Sequence, residues 1–185
     1  MIEQILRREN LLRAMRKVQK NQGSAGVDHM PVTKLSELLS IDKEELTAKV
    51  LSGKYLPQAI LGVEIPKGNG KKRLLGIPTV TDRLLQQAVL QVINASFEFE
   101  FSESSFGFRP KKSLHQAVLK AQSYINDGYQ DIIDIDLKSF FDEVDHRYLL
   151  QLVYRKIKCR ETMRLIRKWL RAPIQIDGQL VKRRK

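Results

Sequence analysis

Residues 134–142 read Asp134-Ile135-Asp136-Leu137-Lys138-Ser139-Phe140-Phe141-Asp142, and Asp131-Ile132-Ile133 precede them. From 131 to 137 the pattern predicts a strand, with Ile133, Ile135 and Leu137 on one face and Asp134 and Asp136 on the other. Two carboxylates at i and i+2 repel, and each resists ionising beside the other. A divalent cation removes that cost. Oxygen ligands suit magnesium, which takes one or two carboxylates together with substrate phosphates. Two readings follow from the residues alone. One is a phosphoryl-transfer site at the end of a strand. The other is a solvated acidic strand face leading into a helix. Asp142 and Asp145 suit turn and N-cap positions better than ligand positions.

The charge around this stretch is uneven. Residues 127–145 hold Asp127, Asp131, Asp134, Asp136, Asp142, Glu143 and Asp145 against Lys138 alone. Residues 7–20 carry six positive charges and one negative, and residues 155–185 carry twelve and two. The net charge of +12 favours a polyanionic partner, nucleic acid first. A carboxylate cluster inside such a chain helps only if a cation sits between it and phosphate. With 185 residues, 42% of them apolar, the chain suits one domain or two small lobes. No apolar run approaches a membrane span, and the opening residues are too charged for a signal peptide. The single cysteine, Cys159, excludes an internal disulfide. A cytoplasmic location is expected.

Working outward, helices are predicted over 2–20, from a capping box at Asp42 and Glu45 to Gly53, over 80–97, from a capping box at Ser113 and Gln116 to Gly128, from Asp145 to 157, and over 161–171. Strands are predicted at 60–66 and 72–77 around a Lys67-Gly68-Asn69-Gly70 tip, and at 174–176 and 179–181 around Asp177-Gly178. Leu114, Val118, Ala121 and Ile125 form the expected apolar face of their helix. Asp82 and Arg83 are expected to pair. The last hairpin is expected to have nothing to pack on, as in a chain that has been cut. The class is α+β.

Four ordered blocks then resemble a known family. DIDLKSFFDEVDH at 134–146 resembles the first palm motif of reverse transcriptases in its group II intron form. NQGSAGVDHMPV at 21–32 resembles the motif of the amino-terminal extension. VEIPKGNGKKRLLGIPTVTDRLLQQAV at 63–89 and SSFGFRPKKSLHQAV at 104–118 resemble the two finger motifs. The resemblance implies the fingers and partial palm of a right-hand polymerase. It divides the chain into an extension at 1–53, fingers at 54–130 and the start of the palm at 131–185.

The same resemblance implies roles. Asp136 aligns with the first catalytic aspartate of a two-metal magnesium site, Leu137 would add its backbone carbonyl, and Asp134 is a lesser candidate. Phe141 aligns with the aromatic gate that excludes a 2′-hydroxyl. Lys67, Lys72 and Arg73 on the hairpin are candidate triphosphate contacts, with Arg73 first and Lys67 second, and cations there would offset developing phosphate charge. Arg109 would anchor its loop and reach template or nucleotide. Phe106 and Phe108 stand equally as stacking or core residues, and Lys111 occupies a position that suits a smaller residue. The basic first helix, with Arg7, Arg8, Arg13, Arg16, Lys17 and Lys20, would anchor RNA.

A Tyr/Phe-Ala-Asp-Asp sequence, which would bring the later catalytic aspartates, does not occur in these 185 residues. The chain alone is therefore expected to be inactive, since one aspartate does not make a two-metal clamp. The implied parent is a bacterial RNA-directed DNA polymerase that also binds its group II intron RNA and assists splicing. Its partners would be intron RNA, template RNA, a DNA primer and dNTP, and an open palm suggests a homodimer. The alternatives are a non-catalytic RNA-binding splicing factor, or a retron, diversity-generating or CRISPR-linked reverse transcriptase.

Overall fold

A computed structural model of the chain describes residues 1–67 and 70–181, with Lys67 through its backbone only. Two compact units form, Met1–Ile93 with Asp145–Lys185, and Asn94–Val144. In the first, the expected opening helix is broken. Helix α1 spans Ile2–Leu6 and α2 spans Arg8–Lys20, with Arg7 between them extended at φ −57° and ψ 141°. The break lets Ile5 and Leu6 reach the same core as Leu11, Ala14 and Val18. It also disturbs the backbone hydrogen bonding there, and the Asn10 side chain donates to the Ile5 carbonyl at 2.8 Å.

Helices α3 (Leu35–Ile41) and α4 (Lys43–Leu51) follow a short 3₁₀ turn at Val32–Lys34. The predicted capping box at Asp42 does not form. Asp42 has φ −108° and ψ 8°, and its side chain makes no cap bond. A capping side chain reaches back from extended backbone, whereas Asp42 passes the chain almost directly from one helix to the next. Gly53 ends α4 with φ +72°, as expected.

Helix α5 (Val80–Glu98) runs through the middle of the core and buries Val80, Leu84, Leu85, Ala88 and Val89. Asn10 also donates to the Ala88 carbonyl at 3.0 Å, and Gln91 donates back to Asn10 Oδ1 at 2.9 Å. This polar clasp fixes α2 on α5. Helices α8 (His146–Ile157) and α9 (Arg160–Arg171) close the unit, and Leu165 of α9 joins the core. Asp145 caps α8 as predicted, accepting from the Arg147 and Tyr148 amides at 2.8 and 2.9 Å.

Both predicted strand pairs form, while the Gly68-Asn69 tip of the first lies outside the described residues. Strands β1 (Ile60–Lys67) and β2 (Lys71–Ile77) pair antiparallel, as do β3 (Ile174–Ile176) and β4 (Gln179–Val181). Asp177 and Gly178 both take positive φ, the two-residue turn whose twist suits a hairpin. The last hairpin is not unpartnered, which corrects the expectation. Strand β3 lies parallel to β1, with Ile60 opposite Ile174, giving the order β2-β1-β3-β4. Gly62 makes room for it: a Cβ there would lie 2.8 Å from Ile176 Cγ1 and 2.9 Å from Ile174 Cγ2.

The second unit holds the end of α5, an aromatic loop, α6 (Leu114–Asn126) and the short α7 (Phe140–Glu143). The Ser113–Gln116 capping box is present in both directions. Two expectations fail here. Residues 131–137 form no strand and are exposed throughout. Alternation sets a face only once a neighbour takes the backbone hydrogen bonds, and the four described strands pair among themselves elsewhere. The apolar face of α6 is also uncovered. Leu114, Val118 and Ile125 are exposed, and the helix buries no residue.

Candidate functional site

Asp136, Leu137 and Phe141 line one open concavity of about 560 Å³ within the second unit, together with Ser139 and Phe140. A tight turn makes it. Ser139 takes φ +51°, and its carbonyl accepts from the amides of Asp142 at 2.9 Å and Glu143 at 3.1 Å. That turn starts α7 and brings Phe141 to the same hollow as Asp136. The two phenylalanine rings meet edge to face at 5.4 Å. Asp134 is exposed and lies outside the lining.

Among the described residues, the Asp136 carboxylate and the Leu137 carbonyl have no hydrogen-bond or ion-pair partner. Their hard oxygens suit a divalent cation. Yet no group of three His, Cys, Asp or Glu side chains converges among the described residues.

The hairpin sorts its cations by register. Arg73 stands opposite Ile65, and Lys72 opposite Pro66, so the two side chains leave opposite faces of the ribbon. Lys72 donates to Glu64 at 2.7 Å, and that bond raises the lysine's pKa. Arg73 is exposed and has no carboxylate partner among the described residues. The side chain of Lys67 lies outside the described residues.

Arg109 holds the aromatic loop together. Its guanidinium donates to Glu98 Oε1 at 2.8 and 3.0 Å and to the carbonyls of Ser102 and Ser105 at 2.6 and 2.9 Å. It also lies 5.2 Å from the centre of the Phe101 ring. Phe108 is fully exposed with φ +55°, whereas Phe106 is half-buried under Lys112. Lys111 takes φ +60°, a conformation natural to glycine, which is why a small residue suits that position.

The basic candidates of the first helix, Arg7, Arg8, Arg13, Arg16, Lys17 and Lys20, are all exposed. Asp82 departs from the expected pairing. It does not pair with Arg83, which donates instead to the Ser24 carbonyl. Asp82 is 2% exposed and accepts from Tyr55 Oη, Thr79 Oγ1, Trp169 Nε1 and the Gln58 amide. Burial and then the Asp82 charge push the Tyr55 phenol well above its ordinary range. The Thr79-x-x-Asp82 spacing before an apolar run was the available signal, since it is a helix-start pattern. The partners from Tyr55, Gln58 and Trp169 left no local sign.

Residues 65–185 match the family described as reverse transcriptase (RNA-dependent DNA polymerase). The chain belongs to that family. It is 37% identical over 157 residues to protein YkfC of Escherichia coli strain K12, covering 83% of this chain and 41% of that one. It is 40% identical over 134 residues to the group II intron-encoded protein LtrA of Lactococcus lactis subsp. cremoris, covering 70% and 22%. Nuclear intron maturase 1, mitochondrial, of Arabidopsis thaliana is 28% identical over 89 residues, covering 48% and 12%. The matched residues span under half of each of these relatives' length. The α+β architecture, helical with a small mixed sheet, is that of a reverse transcriptase's fingers and palm. No helix among the described residues is long and apolar enough to cross a membrane.

Proposed function

We propose that this reverse transcriptase chain contributes the fingers and first catalytic aspartate of a group II intron-type RNA-directed DNA polymerase. In this reading Asp136 and the Leu137 carbonyl help to hold magnesium, which would supply charge stabilisation and orientation at the transferring phosphate. Phe141 excludes the ribose 2′-hydroxyl, and Arg73 meets the triphosphate with Lys67 and Lys72 as further cations. Arg109 acts by fixing the shape of the loop over the nucleotide. The segments 1–53, 54–130 and 131–185 divide the chain by role. The work would be done in the bacterial cytoplasm on template RNA, DNA primer and dNTP.

The observation that carries this reading is the shared hollow of Asp136, Leu137 and Phe141. The test is primer extension on an RNA template by full-length protein. Asp136→Ala should lower the rate on the order of 10³-fold, the scale of losing one electrostatic stabiliser at a reacting centre. Undiminished extension by that variant would refute the assignment.

A second reading, intron-RNA binding that assists splicing, is favoured by the six exposed cations on and before α2. Binding of intron RNA should then weaken steeply with salt. A flat response would reject it.

A further inference from the structure

Helices α8 and α9 enclose a groove of about 660 Å³ that none of the roles above uses. Its lining includes Arg147 from α8 and Arg160, Arg167 and Arg171 from α9, and no carboxylate. The three α9 arginines recur at spacings of seven and four, which keeps them on one side of the helix. All four arginines are exposed, and none of their guanidiniums has an ion pair or hydrogen bond among the described residues. Asp145 and Glu161 feel the charges of Arg147 and Arg160 but stay outside the lining: Asp145 caps α8, and Glu161 accepts from the Cys159 thiol. Other cations of α9 have structural work, since Lys168 donates to the carbonyls of Gly53 and Tyr55 at 2.6 Å each, and Arg164 lies against Gly53.

Four guanidiniums gathered around one hollow repel unless an anion lies between them. We propose that this groove binds the sugar-phosphate backbone of a single nucleic-acid strand. The length fits. Arg160 to Arg171 covers about 16 Å at ~1.5 Å per residue, enough to follow several successive phosphates of one strand. Guanidinium forks match phosphate oxygens in pairs. The floor, with Leu150 and the buried Met163, is apolar, and Tyr154 offers a ring on which a base can stack. The proposal rests on the chain being a nucleic-acid enzyme, but it concerns a surface other than the Asp136 hollow.

The test uses the 185-residue chain and a fluorescein-labelled 12-nucleotide oligouridylate, with anisotropy read from 50 to 300 mM NaCl. Each phosphate neutralised contributes about −0.7 to the slope of log K against log salt for a single strand. The triple variant R160Q/R167Q/R171Q should flatten that slope by about 2 and weaken binding at least about tenfold at 50 mM salt. Its circular dichroism should match wild type, because all three side chains are exposed. An unchanged slope and affinity would overturn the proposal, as would failure of the wild-type chain to bind. Displacement of the oligonucleotide by polyglutamate at equal charge concentration would point to an acidic protein partner and equally overturn it. The polymerase reading is tested by primer extension and not by this binding assay, so failure of the groove reading and failure of the polymerase reading are separate results.

Discussion

Replacing Asp82 by alanine should destabilise the first unit severely, and the structure gives the size. The carboxylate is buried and receives donors from four places: Tyr55 at 2.8 Å, Thr79 at 2.8 Å, Trp169 at 2.9 Å and the Gln58 amide at 3.3 Å. In Asp82→Ala the Thr79 hydroxyl still accepts from the amide of residue 82. The Tyr55 hydroxyl, the Trp169 indole N–H and the Gln58 amide lose their acceptor. A buried donor left without a partner costs about 1–3 kcal/mol. Taking the low end for each, because Tyr55 and Trp169 keep some access to water, gives a loss of about 3 kcal/mol. That is a large part of a typical stability of roughly 5–15 kcal/mol, and would lower Tm by about 6–12 °C in a chain of this size. Asp82→Asn separates hydrogen bonding from shape. Its oxygen can serve Tyr55 and Trp169, and its amide can donate to the Thr79 hydroxyl, so only the Gln58 amide is stranded. The expected loss is about 1–2 kcal/mol. Urea unfolding, followed by the fluorescence of Trp169, the only tryptophan, and by helical circular dichroism, measures both. A loss under about 1 kcal/mol for the alanine variant, or equal losses for both variants, would refute the reasoning.

Tyr55 should make stability fall in alkali. Its phenol is raised above the ordinary 10.0 by burial and by the Asp82 charge, so its contribution is complete below pH 10. Above that the unfolded chain ionises first, and stability declines by about 1.4 kcal/mol per pH unit from this group. Tyr55→Phe should show a shallower fall in urea unfolding between pH 9 and 11, and a parallel fall would contradict the assignment. Gly26→Ala should cost about 1–3 kcal/mol in thermal melts, because the new Cβ would lie 2.8 Å from Thr79 Cα and backbone must shift; an unchanged Tm would show that the turn yields freely. In full-length protein, Phe141→Ala should reduce the preference for dNTP over rNTP at least about tenfold in primer extension, and unchanged discrimination would remove its gate role.

Much of the local structure was legible in the sequence because its causes lie within a few residues. Ser113 with Gln116, Asp145 before His146, and Asp177-Gly178 each bond or bend within their own turn. The apolar spacing of Leu85, Ala88 and Val89 likewise marks the buried side of α5. Asp136, Leu137 and Phe141 could be singled out because one short motif carries all three, and the turn at Ser139 brings them to one hollow. The hairpin cations could be named but not sorted, since only the register sends Lys72 to Glu64 and leaves Arg73 without a carboxylate partner among the described residues.

The sequence by itself determined most of the longer helices, the Asp177-Gly178 turn and the order of the four motif blocks, all of which are properties of neighbouring residues. Tertiary structure alone decided that Arg7 breaks the first helix, that β3 lies beside β1, and that Asp82 bonds a tryptophan 87 positions away. It also decided that residues 131–137, despite their alternation, stay outside any ladder. A strand, a buried carboxylate and a broken helix each depend on which distant group supplies the missing hydrogen bond, and that identity is fixed only when the chain folds back on itself.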